Sequence, residues 1–319
     1  MREHGGTALN PALSLIASAL FIICANSWPA PLGAAEADAV GEETFVLGRV
    51  TADARKSYKR LRAMADYLGP RLEDLGIRHT KIRLARSNGE MVEFLRRGEV
   101  DCFSESPLSA LYLAENGGAE ILLREWKKGA PSYHTVFIAR KGGGIDSLSD
   151  LRGKRIVFED PGSTSAYLVP FSILRGLGFT MVEMASVRDP LPAGKGGYVF
   201  GREELNIPLW VQRGLADAGA FSNQDWRERT PAALRKDLKI IHRTEPILRS
   251  VISVRRGLRP EIKRRVKQVL LGMHETPEGR RVLRKYYRVR KYDEFEGEAA
   301  AQLANAKRIY SLIPMEFGK

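Results

Sequence analysis

Strand-type and helix-type patterns alternate along most of the chain, and this alternation constrains the fold more than any other feature. Residues 44–50 and 81–84 are short apolar runs typical of strands. Between them, residues 58–68 carry apolar side chains at helical spacing. The alternation continues to about residue 139 and starts again after residue 144. Strands that alternate with helices form layered structures with parallel sheets, so the sequence predicts an α/β fold.

A glycine run, Lys141-Gly142-Gly143-Gly144, interrupts this alternation and predicts a domain boundary. The proline- and glycine-rich residues 190–197 predict a loop. Further strands are predicted at 101–103, 121–123, 135–139, 154–158, 181–183, 216–221, 239–241 and 247–254, and further helices at 89–97, 107–115, 166–176, 205–213 and 260–273.

The N-terminus has the pattern of an export signal. Arg2 precedes the apolar run Ala12–Cys24, and Ala35-Glu36-Ala37 is an A-x-A cleavage pattern. The apolar run is too short to span a bilayer comfortably. We therefore expect cleavage near Ala37 and a product in the periplasm. Cys102 would then be the only cysteine of the mature chain, and its apolar neighbours predict a buried, unreactive side chain.

The chain is strongly basic, with 51 lysines and arginines against 38 aspartates and glutamates and a formal net charge of +13. Such a charge favours anionic ligands or surfaces. The segment 284–292 interleaves basic and aromatic residues, as a single-strand nucleic-acid binder does. Its charges are scattered rather than aligned, and export separates the protein from nucleic acid. We therefore expect a solvated basic face and no nucleic-acid partner.

Three consecutive hydroxyl residues follow the predicted strand 154–158. In Asp160-Pro161-Gly162-Ser163-Thr164-Ser165, proline and glycine turn the chain, and the hydroxyls fall where the next helix begins. A helix start offers unpaired N–H groups and positive dipole ends, which suit an oxyanion. The alternative is a Ser/Thr cap that serves only its own helix. The local sequence leaves both interpretations open.

Motifs for catalysis and for metal binding are absent from the sequence. The chain has neither a G-x-S-x-G elbow nor a G-x-x-x-x-G-K-[ST] loop, and its histidines lack metal-ligand spacing. A serine-dependent hydrolase would need a base beside Ser163 or Ser165, and His134 is the one candidate. We keep a hydrolase as an alternative and expect no enzyme, no cofactor and no metal.

Several blocks in order give the chain its resemblance to a known family. They are Gly98-x-Val100-Asp101 with Ser106-Pro107-x-Ser109-Ala110, Tyr133-x-Thr135-Val136-x-Ile138-x-Arg140-Lys141, Ser147-Leu148-x-Asp150-Leu151 leading through Asp160-x-x-Ser163-Thr164-Ser165 to Pro170, Ala216-Asp217-Ala218-Gly219, and Thr276-Pro277-Glu278-Gly279. On these residues the chain resembles the phosphate/phosphite/phosphonate-binding family of periplasmic solute-binding proteins of ABC importers. The resemblance spans most of residues 44–295, and the hydroxyl block is its most specific part.

The resemblance implies a type II periplasmic-binding-protein clamshell of two lobes, each a mixed sheet flanked by helices. Lobe one would comprise residues 38–139 and 246–319, and lobe two residues 140–245. The glycine run would then be the first crossing between lobes and Pro246 the second. Proteins of this kind close on their ligand by hinge motion.

The resemblance also implies a set of ligand-binding residues. Ser163, Thr164 and Ser165 would hold phosphoryl-type oxygens, with Tyr133 and His134 beside the cleft. Asp217 would accept a hydrogen bond from the ligand; alternatively it caps nearby N–H groups.

Two other positions bear on the choice of ligand. Glu105 stands where some phosphonate binders have an aromatic residue, and a carboxylate facing a dianion favours a ligand that also carries an amine. Trp126 and Lys127 would supply an aromatic wall and a cationic contact; alternatively Trp126 only packs within lobe one.

The predicted function is capture of a phosphonate- or phosphate-like oxyanion and its delivery to an ABC permease, by a protein that acts as a monomer. An alternative keeps the clamshell but presents the ligand to a membrane sensor or chemoreceptor. The sequence does not separate these two, because both partners dock on lobe surfaces without a motif.

Overall fold

The computed structural model describes residues 43–51, 53–191 and 193–313. The strands are β1 (Thr44–Val50), β2 (His79–Ala85), β3 (Cys102–Glu105), β4 (Ala119–Glu125), β5 (Ser132–Tyr133), β6 (Thr135–Arg140), β7 (Arg155–Phe158), β8 (Met181–Glu183), β9 (Gly196–Phe200), β10 (Ala218–Ser222), β11 (Leu238–Arg243), β12 (Ile247–Leu248), β13 (Val251–Arg255) and β14 (Tyr292–Asp293). The α-helices are α1 (Ala54–Leu68), α2 (Asn88–Arg96), α3 (Pro107–Gly117), α4 (Val169–Gly176), α5 (Asn206–Gln212), α6 (Asn223–Glu228), α7 (Ala232–Asp237), α8 (Pro260–Gly272), α9 (Pro277–Lys285) and α10 (Glu298–Tyr310).

Two six-stranded mixed sheets organise residues 43–313. The first has the order β14-β4-β13-β3-β1-β2, and the second has the order β11-β6-β10-β7-β9-β8. In the first sheet β1 pairs in parallel with β2 and β3, while β13 and β14 pair antiparallel with their neighbours. In the second, β7 pairs in parallel with β9 and β10, and β8 with β9. The predicted α/β fold is confirmed.

The chain passes between the sheets twice, and β5 pairs antiparallel with β12 at these passages. The first passage lies between β4 and β6 and the second between β11 and β13. Strand β6 pairs with β10 and β11, so residues 135–140 lie in the second sheet. The glycine run, with Gly142 at φ +70° and Gly144 at φ +74°, is an ordinary turn after β6. The lobe boundaries themselves stay a prediction.

Helix burial follows the apolar periodicity. Leu61, Met64, Ala65 and Leu68 of α1 are buried, as predicted. Helix α3 begins at Pro107, as predicted, with Ser106 as its N-cap. Ile262, Val266 and Leu270 of α8 face the same core. This core lies between α1, α8 and the first sheet.

Two local predictions were incomplete. The predicted loop 190–197 ends in β9, which lies between β7 and β8. Its glycines hid the strand pattern. A Cβ on Gly197 would lie 2.1 Å from Met184 Sδ, so a larger residue there would force Met184 to move. The predicted strand 247–254 is divided into β12 and β13, which pair with different partners.

The predicted signal peptide, residues 1–37, lies outside the described residues. Within the described residues, no helix is both long and apolar enough to cross a membrane. Cys102 is buried and free, as predicted, and burial raises the pKa of its thiol well above the usual range.

Candidate functional site

A cavity of about 370 Å³ lies where parallel strands of both sheets end. We call it the strand-end cavity. It is lined by Arg49, Val50, Thr51, Arg86, Asn88, Glu105, Ser106, Ser109, Lys127, Glu159, Asp160, Gly162, Ser163 and Arg249. Most of these residues belong to the carboxyl ends of β1, β2, β3 and β7 or follow them directly. In open α/β sheets, ligands bind outside the carboxyl ends of the strands, so the topology makes this cavity the candidate binding site.

Four cations line the strand-end cavity. Arg49, at the end of β1, donates from Nη1 to the Ser104 carbonyl at 2.5 Å and is nearly buried. Arg86 follows β2 and is exposed. Burial and repulsion by Arg49 together lower the pKa of Lys127 to about 7. A bound anion would favour the charged form of Lys127.

Arg249 is a cavity cation with a buried donor that is free to bind a ligand. It lies just before β13, and its guanidinium carbon is 4.5 Å from the centre of the Tyr133 ring. Its Nε is buried and has no partner among the described residues. The planar guanidinium suits two parallel hydrogen bonds to a phosphoryl group. Tyr133, predicted to lie beside the cleft, therefore orients Arg249 by cation–π stacking.

Carboxylates of the second sheet cluster next to these cations. Glu159, Glu204 and Asp225 follow the carboxyl ends of β7, β9 and β10, which are parallel neighbours. Burial raises the pKa of Glu159 to about 7, with Asp160 and Asp225 adding repulsion. Burial also raises the pKa of Glu204 to about 8, helped by Glu159. Near pH 7 Glu159 is therefore about half protonated and Glu204 mostly protonated. Although burial opposes this, the hydrogen bond from Ser222 keeps the pKa of Asp225 below its ordinary value, so Asp225 keeps its charge.

The hydroxyl block lies at the start of a π-helical turn, Thr164–Leu168, that continues into α4. Ser163 lines the strand-end cavity, and its Oγ accepts from the Ala166 amide at 3.2 Å as an N-cap. Thr164 is buried, and its Oγ1 has no partner among the described residues. Ser165 is buried, and its carbonyl accepts from Thr135 Oγ1 at 2.8 Å. Ser163 therefore caps its own helix, Thr164 keeps an unused hydroxyl, and the oxyanion interpretation stays a prediction.

Glu105, at the end of β3, lines the strand-end cavity as predicted from its position in the sequence. Its Oε1 accepts from the Val50 amide at 3.0 Å and lies 3.8 Å from Arg49 Nε. The carboxylate therefore has positive partners within the chain. It does not by itself require an amine on the ligand.

Three residues from the predicted site lie elsewhere. Asp217 precedes β10, at the end of the strand opposite to Asp225, and its carboxylate accepts from the Arg155 amide at 2.8 Å. This is the capping alternative. The His134 amide donates to Asn223 Oδ1 at 3.1 Å, and no histidine lines the strand-end cavity in the described part of the chain. Trp126 also lies outside its lining, and its Nε1 donates to Asp293 at 2.9 Å.

Sequence reasoning missed Arg49, Arg86, Arg249 and the acidic cluster. Arg49 and Arg86 had a usable signal, because each is a charged residue at the end of a predicted strand. Arg249 had none, since it falls inside the predicted strand 247–254 and is exposed to the cavity only because that strand is interrupted.

Comparison with known proteins connects this geometry to a family. The family model described as ABC transporter, phosphonate, periplasmic substrate-binding protein matches residues 50–299. The chain belongs to this family. Its members are substrate-binding components of transporters rather than enzymes, and membership implies an extracytoplasmic location, a small phosphonate- or phosphate-type ligand and an ABC permease as partner.

Individual relatives agree with this assignment. XAC2383 from Xanthomonas citri, solved bound to chloride ion and bound to ATP, is 32% identical to the chain with a TM-score of 0.79; in the chloride complex the match covers 84% of this chain and 98% of that one. The phosphate-import protein PhnD of Mycolicibacterium smegmatis is 28% identical over 227 residues, which cover 69% of this chain and 68% of that protein.

The wider fold comparison confirms the architecture. PhnD1 from Prochlorococcus marinus, solved in complex with methylphosphonate, has a TM-score of 0.60 at 16% identity, covering 86% of this chain and all of that one. At this identity the likeness concerns the fold alone. The family member described here has the type II periplasmic-binding-protein fold, as predicted.

Proposed function

We propose that this phosphonate-family binding protein captures a phosphoryl-type oxyanion in the strand-end cavity and delivers it to an ABC permease. One observation carries the proposal: parallel strands of both sheets end at a single cavity that holds Arg49, Lys127 and Arg249 beside the hydroxyl block. The family match supports the transport role. The sensor or chemoreceptor alternative stays a prediction.

The ligand class follows from unpartnered polar groups at and beside the cavity. Arg249, which lines the cavity, offers a guanidinium with an unpartnered Nε. Thr164, the chain neighbour of the lining residue Ser163, offers a buried, unpartnered hydroxyl. Unpartnered buried polar groups cost free energy in the empty protein, and a tetrahedral oxyanion relieves that cost by accepting from both. The M. smegmatis relative is named for phosphate and the X. citri relative was solved with ATP, and a phosphoryl group is common to both.

The first test is titration calorimetry with phosphate, methylphosphonate and 2-aminoethylphosphonate. We expect Arg249→Gln to weaken binding of methylphosphonate ~30-fold, because it removes a charge-assisted bidentate contact. Arg243→Gln removes the same charge from an exposed position on β11, outside the lining of the cavity, and serves as the control. Equal affinities for the two variants would contradict the proposed site. Absence of binding of any phosphoryl compound by the parent protein would contradict the function.

A second test distinguishes a hydroxyl that binds the ligand, at Thr164, from one that stabilises the fold, at Thr230. Thr164→Val removes a hydroxyl that has no partner in the empty protein, so stability should not fall while affinity for methylphosphonate drops ~10-fold. Thr230→Val is the matched control, since the buried Thr230 Oγ1 donates to the Asp225 carbonyl at 3.1 Å. That variant should lose ~1 kcal/mol of stability and keep its affinity. The reverse pattern would exclude Thr164 from the ligand site.

A further inference from the structure

A second, smaller cavity of about 180 Å³ adjoins the strand-end cavity. We call it the basic annex. Its lining consists of Arg60, Lys127, Lys128, Arg284, Lys285, Tyr287 and Arg288. Six of these seven side chains are cationic, and in the described part of the chain no carboxylate lines the annex.

The two cavities share walls. Lys127 lines both of them. The Tyr287 ring is 4.7 Å from the guanidinium carbon of Arg49, which lines the strand-end cavity, and 4.7 Å from that of Arg60, which lines the annex. The two guanidinium groups are therefore no further apart than twice that distance. A single extended anion can contact both.

The cations of the basic annex have few counter-charges nearby: Glu125 and Glu105 act electrostatically on Lys127, and Lys128 acts on Asp225. None of the six forms an ion pair with a carboxylate of residues 43–313, although many other lysines and arginines do. The C-terminus of α9 accounts for Arg284 and Lys285, since cations are favoured there. It does not account for Arg60 on α1 or Lys128 after β4, which bring like charges together at a cost.

Backbone strain is concentrated at the same place. Four non-glycine residues of the described chain have positive φ, and three of them line the annex: Lys128 at 54°, Tyr287 at 59° and Arg288 at 55°. Such conformations cost free energy and cluster at functional sites. The Lys128 amide donates to the Tyr287 carbonyl at 3.3 Å, and the Trp126 carbonyl accepts from the Arg290 amide at 3.0 Å. Trp126, absent from the strand-end cavity, thus helps to hold the two strained segments together.

We propose that the basic annex binds a second phosphoryl group of a ligand whose first phosphoryl group occupies the strand-end cavity. This inference rests on the proposed function and narrows it to compounds with linked phosphoryl groups, such as pyrophosphate or polyphosphate. The annex is concave, shares Lys127 with the ligand cavity and is assembled from three separate chain segments. These features favour a small polyanion over a flat anionic surface.

The test compares methylphosphonate, pyrophosphate and tripolyphosphate by calorimetry on the full chain. The triple variant Arg60→Gln/Arg284→Gln/Lys285→Gln removes three annex cations and avoids the strained positions. The control, Arg264→Gln/Arg281→Gln/Lys307→Gln, removes the same charge from exposed residues outside both cavities. We expect the parent and the control to bind tripolyphosphate at least ~10-fold more tightly than methylphosphonate, and the annex variant to lose this preference while it retains methylphosphonate.

Each other outcome overturns the inference. If the annex variant and the control behave alike with all three ligands, the annex does not bind the ligand. Binding to phosphatidylglycerol vesicles is measured as well. If the annex variant loses only this vesicle binding, the annex binds an anionic membrane surface and not the ligand. Binding of methylphosphonate without preference for tripolyphosphate in the parent refutes the annex and leaves the proposed function intact. If the parent protein binds none of the three phosphoryl compounds, both the annex and the proposed function are refuted.

Discussion

At the scale of single residues, Glu159 and Glu204 link the site to the stability of the protein. Burial, with repulsion from Asp160 and Asp225, raises the pKa of Glu159 to about 7 from an ordinary value of 4.5. Burial, with repulsion from Glu159 and Asp225, raises that of Glu204 to about 8. At pH values between the ordinary pKa and the raised pKa of these groups, the folded protein binds more protons than the unfolded chain. Stability is therefore highest below about pH 4.5 for these two groups and falls as the pH rises toward 8.

The corresponding prediction concerns Glu204→Gln. The amide cannot ionise, so the variant should be more stable than the parent at pH 8, by about 2 kcal/mol after allowance for its partial exposure and its lost ion pair with Arg229. At pH 5 the two proteins should differ little. Urea unfolding at both values of pH measures this. Glu203→Gln, at the exposed neighbouring position, is the control, and an equal effect of Glu204→Gln at both values of pH would contradict the assignment.

At the scale of elements, the start of α9 depends on one glycine. A Cβ on Gly279 would lie 2.0 Å from the Met273 carbonyl oxygen, which is a backbone atom that cannot move aside cheaply. The Gly279 amide also donates to the N-cap Thr276 Oγ1 at 3.0 Å. The motif Thr276-Pro277-Glu278-Gly279 is thus explained by close packing of α9 against the preceding turn.

This packing predicts that Gly279→Ala destabilises the protein by about 2–3 kcal/mol, although alanine is ordinarily the better helix residue. Gly176→Ala is a matched control, because Gly176 also lies in a helix and nothing is within 4 Å of its added Cβ. It should be neutral or mildly stabilising. Thermal unfolding of the two variants gives the comparison, and equal melting temperatures would contradict the packing argument.

Elements with strong periodicity were predictable, and elements defined by pairing were not. Helix α1 and the start of α3 follow from local apolar spacing and caps. Strand β9 starts with two glycines that pack closely against the side chains of Met181 and Met184, and no local pattern reveals such a contact. The residues of the candidate site differ in predictability for the same reason. Ser163 follows from the turn that precedes it, whereas Arg249 depends on how β12 and β13 separate, which is decided by tertiary pairing.

At the scale of the whole molecule, the net charge attracts a ligand over longer distances than the contacts in the strand-end cavity do. The formal net charge of +13 creates a field that attracts anions from solution, and salt screens it beyond about 8–10 Å. Contacts within the strand-end cavity are short and partly buried, so salt screens them less. Capture and retention of the ligand should therefore respond differently to ionic strength.

We expect stopped-flow measurements with methylphosphonate to show an association rate that falls by up to roughly tenfold from 25 to 500 mM salt. The dissociation rate should change little, because it is set by contacts such as those of Arg249. The surface variant Arg264→Gln/Arg281→Gln/Lys307→Gln should lower the association rate at low salt and leave dissociation unchanged. Arg249→Gln should raise the dissociation rate at every salt concentration. If salt acted mainly on dissociation, the oxyanion would be held by exposed charges rather than by the strand-end cavity, since only exposed contacts are screened so strongly.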